Sequence, residues 1–552
     1  MDGFIKVEAL TLGALFAGAR RLRLPWFQRA YAWRTDHANR LLADILAAIA
    51  EEKPRYALGL IRVAQLAGQT EASLVDGHQR TITLTILFAV LRDLIRSENP
   101  EEARLLDEMI FTARGADQTT PARVQPQDNV AVFFHTFVQS PGSTEREPEG
   151  DIAGLNYGAR NIFANRSALI ETLAGLSAAE RLRLARFLRE RCWIVVMAVE
   201  DEDEAWAMLV NEESTGLDFH ECERSKFTMI SVMPPDAQQE AGRVWERAQS
   251  DLGSDALDEL LHHIRTMTLN RRSNRPVERD LIERHSLQKN GRAFIAGPFA
   301  GNVARAIAIS QRALGDARSG PAIAHALDML AWLDDRFWMP PLLRWLDVRG
   351  AGHARTQQFV ERLDRLAWVL KIAGVDPIDH ERRMIRVMQD ADTIDEPDQM
   401  PSLAIDQKYA AKFGARLRDR NFYLKSCSNL VLRRLSLIAG QLHGPVDGVH
   451  VSVEHILPRN PPRERRWHRD FEGAKLADHT NRLGNLVFLS QEDNLAAGDL
   501  DFEVKRPIFA ASSFALAAAV ARGHTSWTAA SIMQRTEALV GSLAADMHMA
   551  PS

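Results

Sequence analysis

The sequence predicts a multidomain α+β protein that is mostly helical, and three observations lead there. At 552 residues the chain is too long for one ordinary core; at roughly 100–200 residues per domain it implies about three. Its composition, 46% hydrophobic and 26% charged, is that of a folded chain, which excludes wholesale disorder and a fibrous or collagen-like architecture. Short β-branched runs gather near the two ends and flank a long stretch of helical periodicity, so the chain divides into 1–105, 106–415 and 416–552.

In chain order, Arg21–Phe27 (RLRLPWF) reads as a strand closing on Pro25. An amphipathic helix follows over His37–Ala50, with Leu41, Leu42, Ile45 and Leu46 on one face. Tyr56–Leu66 and Ser73–Val75 read as strands and Gln79–Ile95 as a helix, which makes a compact α/β unit. Residues 101–411 are mostly helical in pattern. Polar, Pro-containing segments at 115–128, 140–151 and 376–402 read there as loops or linkers. Trp193–Val199 (WIVVMAV), rich in β-branched residues, is a strand candidate inside this region. Towards the C-terminus come a strand over 449–456, a loop, a strand over Leu486–Leu489, and then helices. No repeat of fixed period occurs.

The best apolar run, Phe514–Ala521, falls well short of the roughly 20 residues a membrane helix needs. The start, MDGFIKVEAL, has Asp2 and no basic region before a hydrophobic one. A cytoplasmic chain with no membrane partner is the expectation. Three cysteines, Cys192, Cys222 and Cys427, stand far apart and exclude a disulfide framework or a CxxC zinc ribbon. With a net charge of −5, any polyanion has to be met by local patches. One candidate patch is Arg265, Arg271, Arg272, Arg275 and Arg279. A second is Arg416, Arg418, Arg420, Lys425, Arg433 and Arg434, and a third Arg459, Arg463, Arg465, Arg466, His468 and Arg469. Each patch alone also reads as a solvated helix face.

Two short motifs lie in the first region, Pro25-Trp26-Phe27-Gln28-Arg29 and Asp76-Gly77-His78-Gln79-Arg80. The second ends a strand and opens a helix, so Gly77 makes the turn, free N–H groups face outward, and Arg80 stands one turn in to pair with a phosphate. Gln28 and Arg29 would add donors, and Asp76 would hold a divalent cation or position a water for phosphoryl transfer. Asp-Gly is also a common turn signal. The ordered run LPWFQRAYAW, LLADIL, YALGLIRV, LVDGHQRTITL resembles the ParB-like nucleotidase domain of the GmrSD-type modification-dependent (type IV) restriction endonucleases, whose signature is PxFQR followed by DGQQR. The resemblance implies an NTP site at Gln28, Arg29, Asp76, Gly77, Gln79 and Arg80, with His78 standing where that family usually has Gln. A looser likeness covers 204–227, where Asn211, Gly216, Leu217 and Lys226 align with the family's linking segment.

Near the C-terminus Val451–Pro458 (VSVEHILP) is a strand ending in an acid–His pair, followed by Gly484-Asn485-Leu486 and then Asn494. A histidine beside a carboxylate, with two asparagines after it, is what a one-metal phosphodiesterase uses. The imidazole deprotonates water, while hard oxygen ligands hold Mg²⁺ or Mn²⁺. Each piece alone is equally readable as a packed histidine and a turn. Jointly, EHILP, Trp467, LGNLVFLSQEDN, Phe502, Lys505 and Trp527…Arg535 resemble the HNH (ββα-metal) nuclease domain that closes GmrSD-type proteins. By position, the resemblance makes His455 the general base, Glu454 and Asn494 metal ligands, and Asn485 the residue that orients the loop carrying the base. Arg459, Arg463, Arg465, Arg466 and Lys505 become contacts to DNA phosphates.

The implied protein is a nucleotide-regulated, Mg²⁺-dependent DNA endonuclease of anti-phage defence that acts on modified foreign DNA. Its single EHxxP element predicts a homodimer for double-strand cutting. A non-catalytic DNA-binding regulator with a vestigial HNH unit, or a toxin-like nonspecific nuclease, are the other readings.

Overall fold

The computed structural model describes residues 5–17, 20–66, 68–112, 121–148, 155–202, 204–205, 208, 221–440, 451–471 and 475–549. The fold is mostly helical with a mixed sheet near the N-terminus, as the sequence predicts. The chain forms two compact units: residues 1–262 with 275–303, and residues 263–274 with 304–552.

The first unit is built on β1 (Ile5–Thr11), β2 (Arg21–Arg23), α1 (Thr35–Ala50), β3 (Tyr56–Ala64), β4 (Glu71–Asp76) and α2 (His78–Ile95). Strands β5 (Val124–Gln125) and β6 (Cys192–Val199) complete a sheet of order β1-β6-β3-β4-β2-β5. The run at 21–27 pairs only over Arg21–Arg23, because Pro25 has no N–H to give the ladder. β1 is not among the strands expected from the sequence, although Ile5, Val7 and Ala9 alternate with Lys6 and Glu8; Ile5 and Val7 are exposed. β6 is inserted between β1 and β3, antiparallel to one and parallel to the other. The sheet thus takes a strand from far downstream of residue 105, and the unit runs on past it. Helix α2 is buried nearly all round, from His78 to Leu91 save Arg80, as an apolar core helix must be.

In the second unit, the segment at 376–402 is mainly a helix, α3 (Pro377–Thr393), where a linker is expected. Asp376 caps it by accepting from the Ile378 N–H at 2.9 Å, and Pro377 at the first helical position starts a helix instead of breaking one. Met384, Val387, Met388 and Ala391 bury its inner face. Further on, β7 (Val451–His455) pairs antiparallel with β8 (Leu486–Ser490), and α4 (Gln491–Ala497), α5 (Phe502–Ala511) and α6 (Ala529–Asp546) follow. Residues 449–450 of the expected strand and 115–120 of the expected loop lie outside the described residues. One stretch among the described residues, Leu287–Ser310, has the length and apolar character to cross a membrane. Lys289, Arg292 and Arg305 interrupt it, and the uncharged run 293–304 between the last two contains Gly297, Pro298, Gly301 and Asn302.

Candidate functional site

In the first unit the two N-terminal motifs fold onto each other. Gly77 sits at φ +85°, and a Cβ there would come 2.5 Å from Ile61 Cγ2, so the turn from β4 into α2 needs glycine twice over. Gln28 Nε2 donates to the Val75 carbonyl. Gln79 accepts from the Ala32 N–H at 2.8 Å and the Trp33 N–H at 3.1 Å, and donates to the Ala30 carbonyl at 3.1 Å. These two glutamines, expected as phosphate donors, are instead buried brackets whose amides are committed to backbone.

His78 belongs to the same bracket. Its Nε2 lies 2.8 Å from Gln79 Nε2, an atom that can only donate, so His78 accepts there. It also hydrogen-bonds the Arg29 backbone, and burial, aided by the nearby Arg29 charge, pushes its pKa down to about 3. The departure from the family signature thus falls on a buried, neutral, loop-holding position. Lys226, from the looser likeness at 204–227, is buried, with its Nζ 3.2 Å from the Gln28 carbonyl and 3.2 Å from Glu246 Oε1. Asn211, Gly216 and Leu217 lie outside the described residues.

The groups left facing outward are Asp76, Arg29 and Arg80. Asp76 is 39% exposed, takes the Gly77 N–H at 2.7 Å and stands 3.5 Å from Arg62 Nη1. Arg29 is half exposed, 3.8 Å from Glu223. The Arg80 guanidinium lies over Gly59, where a Cβ would meet its Nη1 at 3.1 Å; Gly59 marks the register shift in β3. No side chain caps the first turn of α2, so its N–H groups and these arginines form an anion-receptive opening.

In the second unit β7, β8 and α4 form a strand–strand–helix arrangement. Asn485 is wholly buried at its base. Its Oδ1 accepts from the Leu457 N–H at 2.8 Å and from Trp527 Nε1 at 3.0 Å. Its Nδ2 donates to the Leu457 and Thr480 carbonyls at 2.9 and 2.8 Å. Two of these four bonds hold Leu457, two residues after His455, and the other two tie Asn485 to Thr480 and Trp527. Gly484 beside it passes so close to α6 that a Cβ would lie 2.1 Å from the Ile532 carbonyl.

His455 Nε2 is 3.3 Å from Asn481 Oδ1, and the Tyr423 ring packs edge-on at 4.5 Å. An amide oxygen can only accept, so the ring donates from Nε2 and keeps its lone pair on Nδ1. Burial holds the imidazole neutral, with its pKa lowered to about 4. Asn481 and Tyr423 were missed in the sequence: one sits four residues ahead of Asn485 in what reads as plain loop, the other among the residues of the second basic patch.

Glu454 is buried. Lys505 Nζ lies 2.5 Å from its Oε1 and 3.1 Å from the His455 carbonyl, and the carboxylate also takes the His455 backbone N–H. Burial lifts the carboxyl pKa and lowers that of the ammonium, each shift opposed by the partner's charge. Lys505, expected on DNA, is fully buried and cannot reach a phosphate; its cationic end is spent on Glu454. Asn494 Nδ2 donates to Ser452 Oγ at 2.5 Å, which leaves Oδ1 as its acceptor. A carboxylate offers about four lone-pair sites, so after accepting from Lys505 and the His455 N–H, Glu454 still has lone pairs left. Two hard oxygens therefore fit a Mg²⁺ or Mn²⁺ ion in chemistry.

Of the expected phosphate contacts, Arg459 and Arg463 are exposed without a carboxylate partner among the described residues, and Arg459 lies over the Tyr423 ring at 5.7 Å. Arg465 pairs with Asp499 at 3.2 Å and Arg466 with Glu503. The second patch is largely consumed internally. Arg434 is buried on Asp364 and Asp546, while Arg418, Arg420 and Lys425 pair with Glu537, Asp478 and Asp419.

A neutral histidine at a strand end, its tautomer set by one asparagine and its loop by another, is the equipment of a hydrolase that activates water. Residues 12–221 match the family model described as GmrSD restriction endonuclease, N-terminal domain, and residues 407–542 match GmrSD restriction endonucleases, C-terminal domain. The two matches together cover more than half of the chain, which belongs to the GmrSD restriction endonuclease family. It is a nuclease of restriction, and DNA is its partner. No curated protein matches it.

Proposed function

We propose that the chain is a nucleotide-regulated, divalent-metal-dependent HNH endonuclease that cuts modified foreign DNA, such as that of phage. In this reading 1–105 carries the ParB-like NTP site, 106–415 couples it, and 416–552 is the nuclease. The observation that carries the reading is the fixed, neutral His455. With Nε2–H turned to Asn481, Nδ1 takes the proton of the attacking water. Asn485 holds the following loop so that the ring keeps its station. Glu454 and Asn494 hold Mg²⁺ or Mn²⁺, which when bound supplies Lewis-acid stabilisation of the charge developing on phosphate.

Arg459 and Arg463 take the DNA backbone. Arg465 and Arg466 exchange Asp499 and Glu503 for phosphates, an exchange that exposed ion pairs worth about 0–1 kcal/mol permit. At the other site the uncapped first turn of α2, with Arg29 and Arg80, takes the NTP phosphates, and Asp76 positions a cation or water. One nuclease centre per chain serves one strand, so a homodimer makes the double-strand break.

The test is cleavage of phage DNA carrying modified bases against matched unmodified DNA, with Mg²⁺ and each NTP in turn. Cutting of the modified DNA that at least one NTP changes is the expected result. Equal cutting of both substrates with no nucleotide response would leave a nonspecific, toxin-like nuclease. No cutting under any condition would leave a DNA-binding regulator.

A further inference from the structure

The first unit contains a cavity of about 680 Å³ that none of Arg29, Asp76, Gly77 or Arg80 lines. Its volume falls within the roughly 300–1,000 Å³ of small-ligand sites. Its chemistry is not that of a fatty or purely anionic ligand. Leu24 and Val124 give it an apolar floor, and the half-buried indole of Trp26 forms part of the wall. Gln125, Gln127, Gln139 and Gln239 line it; Gln127 and Gln139 donate their Nε2 to the Gln28 and Val124 carbonyls, whereas the Gln125 amide has no hydrogen-bond partner among the described residues. His135 and Arg243 stand exposed among the lining residues, as does Arg23, which pairs with Glu71 at 3.3 Å and Glu202 at 3.4 Å. An aromatic wall suits a planar ring. The Gln125 amide, carrying donors and an acceptor, suits the edge of a nucleobase, and guanidinium groups at the rim suit a phosphate.

We propose that this cavity binds a single nucleotide, base inward and phosphate at the rim, as a second site distinct from the turn between β4 and α2. Its position gives the occupant a route to that turn. Gln127 and Glu246 both line the cavity. Gln127 Nε2 donates to the Gln28 carbonyl, and Glu246 holds Lys226, which donates to the same carbonyl at 3.2 Å. Gln28 in turn braces Val75, the residue before Asp76. The proposal goes beyond the nuclease reading and does not need it, since binding is read without metal or cleavage.

The nucleotide comes either free from solution or extruded from duplex DNA, and the probes separate the two. Full-length protein in the Arg80→Ala background, which disables the other site, is titrated with each 5′-deoxynucleoside monophosphate. It is also titrated with a short duplex carrying one unpaired nucleotide and with its fully paired counterpart. Binding of a monophosphate, or a clear preference for the unpaired duplex, is expected, with a loss of about tenfold or more on adding Gln125→Leu and Arg243→Ala. Both residues are at least partly exposed, and an unchanged melting curve confirms that the fold is kept. If no probe binds, if the added substitutions leave affinity unaltered, or if inorganic phosphate displaces the monophosphate at equal concentration, the proposal is overturned.

Discussion

Lys505 has its ammonium 2.5 Å from Glu454 Oε1 at a fully buried position. Removing one partner of a buried pair strands the other charge, which costs roughly 3–5 kcal/mol. Lys505→Met is therefore expected to lower the unfolding free energy by about 3 kcal/mol in urea. The double variant with Glu454→Gln should recover much of that loss, because no charge is then left buried. A single variant as stable as the parent would mean the pair is not buried in solution. His78 makes a pH prediction. Its folded pKa, about 3, lies below the ordinary 6.5, so the unfolded chain binds the proton more readily. The contribution is fully present above about pH 6.5 and is lost as pH falls through the window down to about 3. His78→Gln should flatten the stability–pH curve across that window; a variant with the parent's slope would show that His78 protonates freely in the folded state.

At the scale of elements, the turn from β4 into α2 makes the clearest demand. Asp76→Ala and Arg80→Ala are each expected to weaken NTP binding tenfold or more, measured by titration, and to leave the melting temperature within a few degrees, since both side chains are partly exposed. Parent-like affinity for every NTP in both would remove the phosphate role of this turn. Much of this element was legible in the sequence, because strand, Asp-Gly turn and apolar helix each leave a local signature. What was not legible is where the amides go. Gln28 and Gln79 look like donors waiting for a ligand, and only the return of residues 28–33 over the start of α2 shows them spent on backbone. Lys505 misleads in the same way: an arginine-rich neighbourhood suggests DNA, whereas its partner Glu454 lies 51 residues away in sequence. The segment at 376–402 misled through its prolines, since Pro377 opens a helix. Asn485 lies where the Gly-Asn turn enters β8, a feature that is local in sequence.

For the whole molecule, the anion-receptive turn belongs to one compact unit and His455 to the other. Nucleotide control, as proposed, must therefore pass between units, and β6 shows that the first unit already draws on chain well beyond residue 105. The proposed cleavage chemistry, by contrast, draws on residues of the second unit alone. The central claim is that His455 is the base of a nuclease centre, and supercoiled plasmid incubated with Mg²⁺ and His455→Ala protein tests it most directly. The variant is expected to bind the plasmid as the parent does in a gel-shift assay, because Arg459 and Arg463 are untouched. Nicking should fall by about 10² to 10⁴, the usual worth of a general base. Open circles and linear product forming at the parent's rate would contradict the account and place the active site elsewhere in the chain.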